Sequence, residues 1–203
     1  MAIAMNNRYN PNQHRRQSIR LRGWDYTTPG AYFITICTHR RENLLAETQF
    51  KEIVENGWLA IPGHQQARHV LLDEWVVMPS HLHAILILTD DGRDEVGAVG
   101  ARQLGDAVIF KSILSSSCLA PTGHQKPGSM GAIVGNFKSL TARRINALRR
   151  TSGGPVWQRG YYDRIVRDER ELNAIRTYIQ DNPRRWAEDR DNLDALFEKM
   201  DLR

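Results

Sequence analysis

Two apolar segments separated by only two residues constrain the fold of this chain more than any other feature of its sequence. Residues 69–78 (HVLLDEWVVM) and residues 81–89 (HLHAILILT) are rich in aliphatic and β-branched side chains, and Pro79-Ser80 lies between them. Because a connection of two residues is too short for a crossover, the two predicted strands are antiparallel neighbours. The second segment is apolar on both faces, which predicts a central place in a sheet.

The segments around this hairpin alternate between strands and helices. Residues 31–38 (AYFITICT) predict a strand, and the apolar spacing of residues 47–60 predicts a helix that stops before a Pro-Gly pair. After the hairpin, Ser129 is placed to cap a helix that runs to about residue 150. The side chains expected to face inward from that helix are Ile133, Phe137, Leu140, Ile145 and Leu148.

The remaining segments complete an α+β pattern. Residues 156–166 (VWQRGYYDRIV) predict a fourth strand or an extended segment, and Asp168 with Glu171 forms a capping-box variant that opens a last helix. Pro183 is expected to end that helix. The order β-α-β-β-α-β, followed by a helix, predicts a ferredoxin-like (split βαβ) fold: an antiparallel sheet with helices on one face and an additional C-terminal helix that bears a tyrosine.

Composition divides the chain into three parts. Residues 1–23 predict a basic arm, residues 24–186 a single domain, and residues 187–203 a helical tail of mixed charge. Within the domain, residues 90–128 are rich in Gly, Ser, Asp and Ala and predict a loop-rich insertion. The arm carries five arginines and no acidic residue, so it either attracts a polyanion or is a terminus with incidental charge.

Composition also narrows the functional classes. Hydrophobic residues make up 41% of the chain, so a packed core is feasible, yet no run approaches the roughly 20 apolar residues of a membrane span. The start of the chain lacks the apolar stretch of a secretory signal. Cys37 and Cys118 are too few for a disulfide framework, and a reducing cytoplasm is the expected compartment.

His81 and His83 are the first candidates for chemistry. Residues i and i+2 of a strand point to the same face, so both imidazoles project from one side of the predicted central strand and are placed to share a metal ion. Apolar neighbours would exclude water from such a site. For an isolated His-x-His pattern, two ordinary strand histidines bonded to their neighbours are the commoner case.

Tyr178 and Asn182 form the second candidate pair. They are four residues apart on the last predicted helix and therefore share one face. Tyr178 borders the apolar stripe of Leu172, Ile175 and Ile179, so it is placed to reach the sheet face that carries the histidines. Asn182 offers an amide oxygen that could complete a metal site. Taken singly, a tyrosine at a stripe edge is usually a packing residue, and an asparagine before proline usually marks a helix end.

Taken together, these motifs resemble those of the HUH single-tyrosine transposases of the insertion-sequence type, most closely the REP-associated tyrosine transposases. MPSHLH is similar to the histidine–hydrophobic–histidine motif of that family, although Ser80 stands where the family usually has asparagine. The match is weak over residues 95–126. The segments that carry it are DYTTPGAYFITICTHRRENLLAE (25–47), EWVVMPSHLHAILIL (74–88), GNFKSLTARRIN (135–146) and PVWQRGYYDRIVRDERELNAIRTYIQDNPRRW (155–186).

The resemblance implies an enzyme. It assigns His81 and His83 as ligands of Mg²⁺ or Mn²⁺, Tyr178 as the nucleophile and Asn182 as the third ligand. The implied activity is that of a metal-dependent single-strand DNA transposase or endonuclease at the bacterial nucleoid. It would cleave and rejoin DNA through a 5′-phosphotyrosine, at palindromic or hairpin-forming repeats. The family includes monomers and dimers that exchange tyrosine helices, so a homodimer is left open.

DNA contacts are expected from basic and aromatic side chains. Trp24, Tyr26 or Trp157 could stack on an unpaired base. The cations expected to hold backbone phosphates are Arg15, Arg16, Arg20 and Arg22 of the arm, and Lys138, Arg143 and Arg144 of the second predicted helix.

Three alternatives stay open on the sequence. Tyr161 and Tyr162 are rival nucleophiles, and at most one of them can face the histidines if their segment is a strand. A hydrolase in which water attacks would need a carboxylate base, for which Asp73 and Glu74 are the candidates, although both are expected to face solvent or to pair with arginines. The third alternative is a host-retained protein that binds DNA hairpins without transposition activity.

Overall fold

The computed structural model describes residues 23–90 and 126–186. Within them the chain forms strands β1 (Gly30–Cys37), β2 (Val70–Met78), β3 (His81–Leu88) and β4 (Tyr162–Ile165). The α-helices are α1 (Thr48–Leu59), α2 (Met130–Leu148) and α3 (Glu169–Arg185). Short 3-10 turns between β1 and β2 lie at His39–Arg41, Leu44–Ala46, Ile61–Gly63 and Gln65–Ala67. The predicted order of strands and helices is confirmed.

The strands form one antiparallel sheet in the order β2-β3-β1-β4. The predicted hairpin of β2 and β3 is present, and β3 lies inside the sheet between β2 and β1, as its apolar character on both faces requires. In the ladder between β1 and β3, Cys37 stands opposite His81 and Thr35 opposite His83. The α+β, ferredoxin-like architecture expected from the element order is therefore confirmed.

The two faces of the sheet bury different sets of side chains because residues alternate along each strand. Tyr32, Ile34 and Ile36 of β1 belong to the larger core, which α1 and α2 cover with side chains such as Trp58 and Phe137. The opposite face carries a smaller cluster in which Phe33 and Ile85 of the sheet pack against Ile175 and Ile179 of α3. Helices α1 and α2 thus share one face as predicted, and the tyrosine-bearing helix α3 covers the other.

Helices α2 and α3 begin where their capping residues predict. Ser129 Oγ accepts a hydrogen bond from the Ala132 amide at 3.4 Å, and Asp168 Oδ1 accepts one from the Glu171 amide at 2.7 Å. Glu171 completes the arrangement by accepting from the Arg167 amide at 2.8 Å. These bonds satisfy amide groups that have no partner within a helix's first turn.

The expected end of α3 at Pro183 is wrong. The helix continues to Arg185, and Trp186 follows it as the C-terminal cap. Proline lacks the amide that would bond back to the preceding turn, and its ring crowds that turn. The final turn forms nevertheless, and the ring of Trp186 beyond it lies with its centroid 5.5 Å from that of His81.

Two further expectations are corrected. The fourth strand covers only Tyr162–Ile165 of the predicted residues 156–166. Upstream, the Lys138 ammonium donates to the carbonyls of residues 158, 159 and 160, so these carbonyls are bonded to a side chain instead of a neighbouring strand. Leu148, expected to face inward, is 53% exposed because α2 ends there, beyond the edge of the core.

Several predicted segments lie outside the described residues: the arm up to residue 22, most of the insertion (91–125) and the tail from residue 187. Within residues 23–90 and 126–186, no helix combines the length and apolar character needed to cross a membrane.

Candidate active site

Two adjacent, buried imidazoles form the centre of the site. His81 and His83 alternate with Leu82 along β3 and therefore project from the same face of the sheet, as predicted. Their ring centroids are 4.3 Å apart, and each residue is only 2% exposed. Burial of this kind is unusual for a histidine pair unless both rings have defined polar partners.

The Nδ1 atoms of both rings have such partners. His83 Nδ1 lies 2.8 Å from the hydroxyl of Thr35, its neighbour on β1, and His81 Nδ1 lies 3.2 Å from Ser80 Oγ. The tautomer in which Nδ1 of His83 donates to Thr35 leaves a lone pair on Nε2. Burial lowers the pKa of His83 well below its usual value, and the nearby His81 and Arg41 lower it further. His83 is therefore a neutral imidazole, the form that binds metal ions.

Tyr178 of α3, the helix that covers this face of the sheet, contacts the imidazole pair. Its hydroxyl lies 3.4 Å from His83 Nε2, and the two ring centroids are 5.3 Å apart. Phe33 supports both rings: it stacks on His83 at a centroid distance of 5.6 Å and meets Tyr178 edge to face at 6.3 Å. The tyrosine predicted from the sequence thus lies at the predicted histidines, within a single chain.

One face of α3 extends over both imidazoles. Tyr178, Asn182 and Trp186 are four residues apart in succession and share that face. Its first member contacts His83 and its last packs on His81. Asn182 lies between these two contacts, on the side of the helix that faces the imidazoles. Sequence reasoning did not single out Trp186, although the same four-residue spacing was the signal that pointed to Asn182.

Tyr161 and Tyr162 divide between the two faces of the sheet. Tyr161 packs against the larger core, whereas Tyr162 packs beside Phe33 on the histidine face. Tyr162 stands opposite Thr35, which in turn stands opposite His83. Two strand spacings, about 10 Å of backbone, therefore separate Tyr162 from His83. The Tyr178 hydroxyl, by contrast, lies 3.4 Å from His83 Nε2.

The two carboxylates considered as hydrolytic bases are engaged with α3. Asp73 accepts hydrogen bonds from the guanidinium of Arg176, which confirms the expected pairing with an arginine. Glu74 Oε1 accepts from Gln180 Nε2 at 3.0 Å. Both lie on β2, and both carboxylates are engaged by side chains of α3.

The site brings together side chains that could hold a divalent cation. Among the described residues, no group of three or more His, Cys, Asp and Glu side chains could hold a metal ion. A closed structural zinc site is therefore not formed by those residues. Two neutral imidazoles and the amide oxygen of Asn182 would instead leave several coordination positions for phosphate oxygens and water, as Mg²⁺ and Mn²⁺ require in phosphoryl chemistry.

The basic residues predicted on the second helix lie away from the imidazoles. Lys138, Arg143 and Arg144 belong to α2, which covers the opposite face of the sheet. Burial lowers the pKa of Lys138 to about 8, and its ammonium bonds to three backbone carbonyls. Arg15, Arg16, Arg20 and Arg22 lie outside the described residues. A phosphate-binding role for these seven residues stays a prediction.

A basic turn missed at the sequence level lies closer to the site. Residues His39–Arg41 follow β1, where Cys37 stands opposite His81, and Thr38 is bonded to the Ser80 carbonyl through its amide and its hydroxyl. Arg40 and Arg41 adopt φ angles of 54° and 55°, a left-handed conformation that is strained for arginine. Such strain is typical of functional loops.

The aromatic residues considered for base stacking differ in exposure. Trp157 is only 8% exposed, and its Nε1 donates to Thr141 Oγ1 at 3.0 Å, so it is a core residue. Trp24 is 38% exposed, and its Nε1 donates to the Tyr32 hydroxyl at 3.2 Å. Tyr26 packs beside Tyr32 with ring centroids 6.0 Å apart. Trp24 is the member of this set with a ring available to solvent.

Comparison with known proteins identifies a relative. The chain is 31% identical over 193 residues to an uncharacterized protein of Haemophilus influenzae, an alignment that covers 91% of this chain and 97% of that protein. This chain belongs to the same protein family as the Haemophilus protein. No protein-family model matches the chain.

Solved structures of similar shape include two described as transposases. One is a REP-associated tyrosine transposase bound to a REP hairpin, with a TM-score of 0.47 and 17% identity; the likeness covers 82% of this chain and 73% of that chain. The other is a putative transposase from Deinococcus radiodurans R1, with a TM-score of 0.36 and 16% identity; the likeness covers 80% of this chain and 95% of that chain. Both TM-scores are low, so the function proposed for this chain rests on the geometry of its site.

Proposed function

We propose that this chain is a single-tyrosine DNA transposase or endonuclease. It cleaves and rejoins single-stranded DNA with Tyr178 as the nucleophile and a divalent cation, Mg²⁺ or Mn²⁺, held by His81, His83 and Asn182. The observation that carries the proposal is the 3.4 Å contact between the Tyr178 hydroxyl and His83 Nε2, above two buried imidazoles of the same chain. The family resemblance of the sequence motifs points to the same assignment.

Tyr178 forms a covalent bond in the proposed reaction. Its phenolic oxygen attacks the scissile phosphorus, the bond from phosphorus to the 3′ oxygen breaks, and a 5′-phosphotyrosine remains. The phenol loses its proton to solvent, and the departing 3′ oxygen gains one, so no other reactant is consumed. Because the phosphodiester energy is kept in the covalent link, a 3′-hydroxyl can later attack the phosphotyrosine and rejoin the strand.

The residues around Tyr178 prepare it for this attack. A phenol has a pKa near 10 and is a weak nucleophile at neutral pH, so orientation and charge neutralisation are needed. Phe33 holds the Tyr178 ring edge-on and stacks on His83, which fixes both groups relative to one another. When bound, the cation would neutralise the scissile phosphate and orient it toward the nucleophile.

Asn182 and Trp186 complete the proposed site along the same helix face. The amide oxygen of Asn182 is an acceptable ligand for Mg²⁺ or Mn²⁺, whereas a carboxylate there would cancel more of the charge needed to attract phosphate. The indole of Trp186, next to His81, offers a surface on which a base beside the scissile phosphate can stack. Hairpin-forming single strands are the proposed substrates, because the resembled family acts on such repeats.

A cleavage assay tests the proposal directly. Wild type, Tyr178→Phe and His81→Ala would be incubated with single-stranded DNA hairpins and either Mn²⁺ or Mg²⁺, with or without a chelator, and resolved on a denaturing gel. Tyr161→Phe and Tyr162→Phe are the matched controls, since they remove the same hydroxyl from neighbouring aromatic positions. A metal-dependent protein–DNA adduct that is lost in Tyr178→Phe and His81→Ala, and kept in both controls, is expected.

Each other outcome points to a different assignment. An adduct that survives Tyr178→Phe and is lost in Tyr162→Phe would move the nucleophile to β4. Cleavage without an adduct would favour hydrolysis by water. Hairpin binding with no cleavage in either metal would favour a host-retained binding protein, and the proposed enzymatic activity would then be wrong.

A further inference from the structure

Helix α3 is fastened to the sheet by polar contacts that the proposed chemistry does not itself use. Asp73 of β2 accepts hydrogen bonds from Arg176, with Nε 3.0 Å from Oδ1 and 3.2 Å from Oδ2, and Nη2 also donating to Oδ2. Gln180 donates to Glu74 at 3.0 Å. These two contacts, called the α3 clasp below, lie two residues before and two residues after Tyr178.

A β-bulge in β2 makes the clasp geometrically feasible. In a regular strand, Asp73 and Glu74 would point to opposite faces of the sheet. The ladder between β2 and β3 instead shifts register between Leu72 and Trp75, so that Asp73 and Glu74 together stand opposite Ile85. Both side chains can then reach the face that α3 covers. The bulge therefore serves to aim two polar residues at one helix.

The clasp has the features of a firm contact. The Asp73 side chain is 12% exposed and that of Arg176 is 36% exposed, so the pair is partly shielded from solvent. Arg176 Nη1 also donates to Asn173 Oδ1 at 3.1 Å, which orients the guanidinium, and the Glu74 amide donates to Asp73 Oδ1 at 2.7 Å. The hydrogen bond to Asp73 raises the pKa of Arg176. When two nitrogens of one guanidinium donate to the same carboxylate, the contact fixes the relative orientation of the two groups as well as their distance.

A second anchor holds the other end of the helix. Arg164 Nε on β4 lies 2.6 Å from Glu171 Oε1 in the first turn of α3, and both side chains are largely buried. Since β4 and β2 are the two edge strands, α3 crosses the sheet from one edge to the other. Ile175 and Ile179 hold it at the centre, but apolar contacts permit sliding and rotation. The clasp adds directional polar contacts on either side of Tyr178, beside the contact of Trp186 with His81.

We propose that Asp73 and Arg176 are positioning residues that hold the Tyr178 hydroxyl at the imidazole pair of its own chain. The catalytic consequence rests on the proposed function, whereas the anchoring of α3 does not. A reacting group needs to be held to within about 0.5 Å, and a displacement of about 1 Å costs on the order of a hundredfold in rate. Loss of the clasp therefore slows adduct formation and leaves the imidazole pair in place.

The test combines hydrogen exchange with single-turnover kinetics on the full chain. The variants are Arg176→Ala, Arg176→Lys, which keeps the charge but loses the fork, and the charge-reversed pair Asp73→Arg with Arg176→Asp. Glu55→Gln is the matched control, because it breaks the exposed ion pair between Lys51 and Glu55 on α1, at 3.7 Å and remote from the site. Thermal unfolding of each variant verifies that it is folded.

Amide exchange in residues 176–186 of Arg176→Ala is expected to accelerate about tenfold or more, with β1 and β3 unchanged. The rate of adduct formation at saturating hairpin and Mn²⁺ should fall about tenfold or more, with unchanged DNA affinity. Arg176→Lys should lie between this variant and wild type, and the reversed pair should recover part of both losses. Glu55→Gln should match wild type.

Unchanged exchange in α3 of Arg176→Ala would overturn the proposal, as would a wild-type rate of adduct formation in that variant. A wild-type protein that forms no adduct would instead overturn the proposed function, and the exchange comparison would still decide whether the clasp anchors α3. The two failures are therefore distinguishable in one set of samples.

Discussion

The hydroxyl of Thr35 provides the sharpest test of the imidazole pair as a metal site. Thr35 is 2% exposed, and its Oγ1 lies 2.8 Å from His83 Nδ1. Thr35→Val keeps the shape of the side chain and removes the group that orients the ring and selects its tautomer. Loss of the hydrogen-bond partner of a metal-binding histidine's other ring nitrogen typically weakens metal binding about 10- to 100-fold, which equals about 1.4–2.7 kcal/mol.

A second effect of Thr35→Val is on stability. The substitution leaves His83 Nδ1 buried without its hydroxyl partner, and an unsatisfied buried group costs about 1–3 kcal/mol. Thr141→Val is the matched control, since Thr141 is 1% exposed and accepts a hydrogen bond from Trp157 in the core on the other face of the sheet. Both variants should lose stability to a similar degree, but only Thr35→Val should lose metal affinity.

Calorimetric titration with Mn²⁺ and urea unfolding separate the two effects. The expected pattern is weakened Mn²⁺ binding in Thr35→Val and wild-type binding in Thr141→Val, with lower unfolding free energies in both. Wild-type Mn²⁺ affinity in a folded Thr35→Val protein would refute the reasoning, because the orientation of His83 would then not matter for the ion. Equal losses of affinity in both variants would do the same, since the effect would follow stability alone.

Three further outcomes are expected. Trp186→Ala should weaken binding of single-stranded DNA by about 1–3 kcal/mol if a base stacks on the indole next to His81. The measurement is fluorescence anisotropy, with Leu59→Ala as control because Leu59 is an exposed apolar side chain of α1 on the other face of the sheet. Unchanged affinity of Trp186→Ala would contradict the stacking role. Pro183→Ala should raise the free energy of unfolding by up to about 3 kcal/mol, because it restores a backbone amide within α3. An unchanged midpoint of urea unfolding would argue against a continuous helix at residue 183. Lys138 has its pKa lowered to about 8 from 10.5, so between these pH values the unfolded chain binds the proton that the folded chain has lost. The contribution of Lys138 to the free energy of unfolding should therefore rise with pH across that window. Urea unfolding at pH 7 to 11 should show the stability of wild type increasing with pH relative to that of Lys138→Met. If the stabilities of the two proteins change in parallel with pH, the lowered pKa of Lys138 is refuted.

The local elements of the fold were predictable because they depend on residues close together in sequence. The apolar character of residues 81–89 on both faces predicted a central strand, and the i, i+2 spacing predicted His81 and His83 on one face; the structure shows both. The two-residue connection at Pro79-Ser80 predicted the hairpin with β2. Helix α3 begins at its predicted cap, Asp168, because a capping bond involves residues only three apart.

At two places the local sequence pattern predicts one structure and the observed structure, with its long-range contacts, is another. Pro183 predicts a helix end, yet the helix continues to Arg185, and Trp186 beyond it contacts His81 of the sheet. Residues 156–161 have the composition of a strand, and Trp157 forms an isolated bridge with Thr38, but the Lys138 ammonium bonds the carbonyls of residues 158, 159 and 160. Neither contact can be inferred from a window of neighbouring residues.

The sequence by itself determined which side chains share a face: His81 with His83 on a strand, and Tyr178 with Asn182 on a helix. Only the tertiary structure decided that these two faces meet and that the Tyr178 hydroxyl lies next to His83. The physical reason is the difference between periodicity and docking. Periodicity is set by backbone geometry over a few residues, whereas docking depends on the strand order and on contacts such as that of Asp73 with Arg176, which are 103 residues apart.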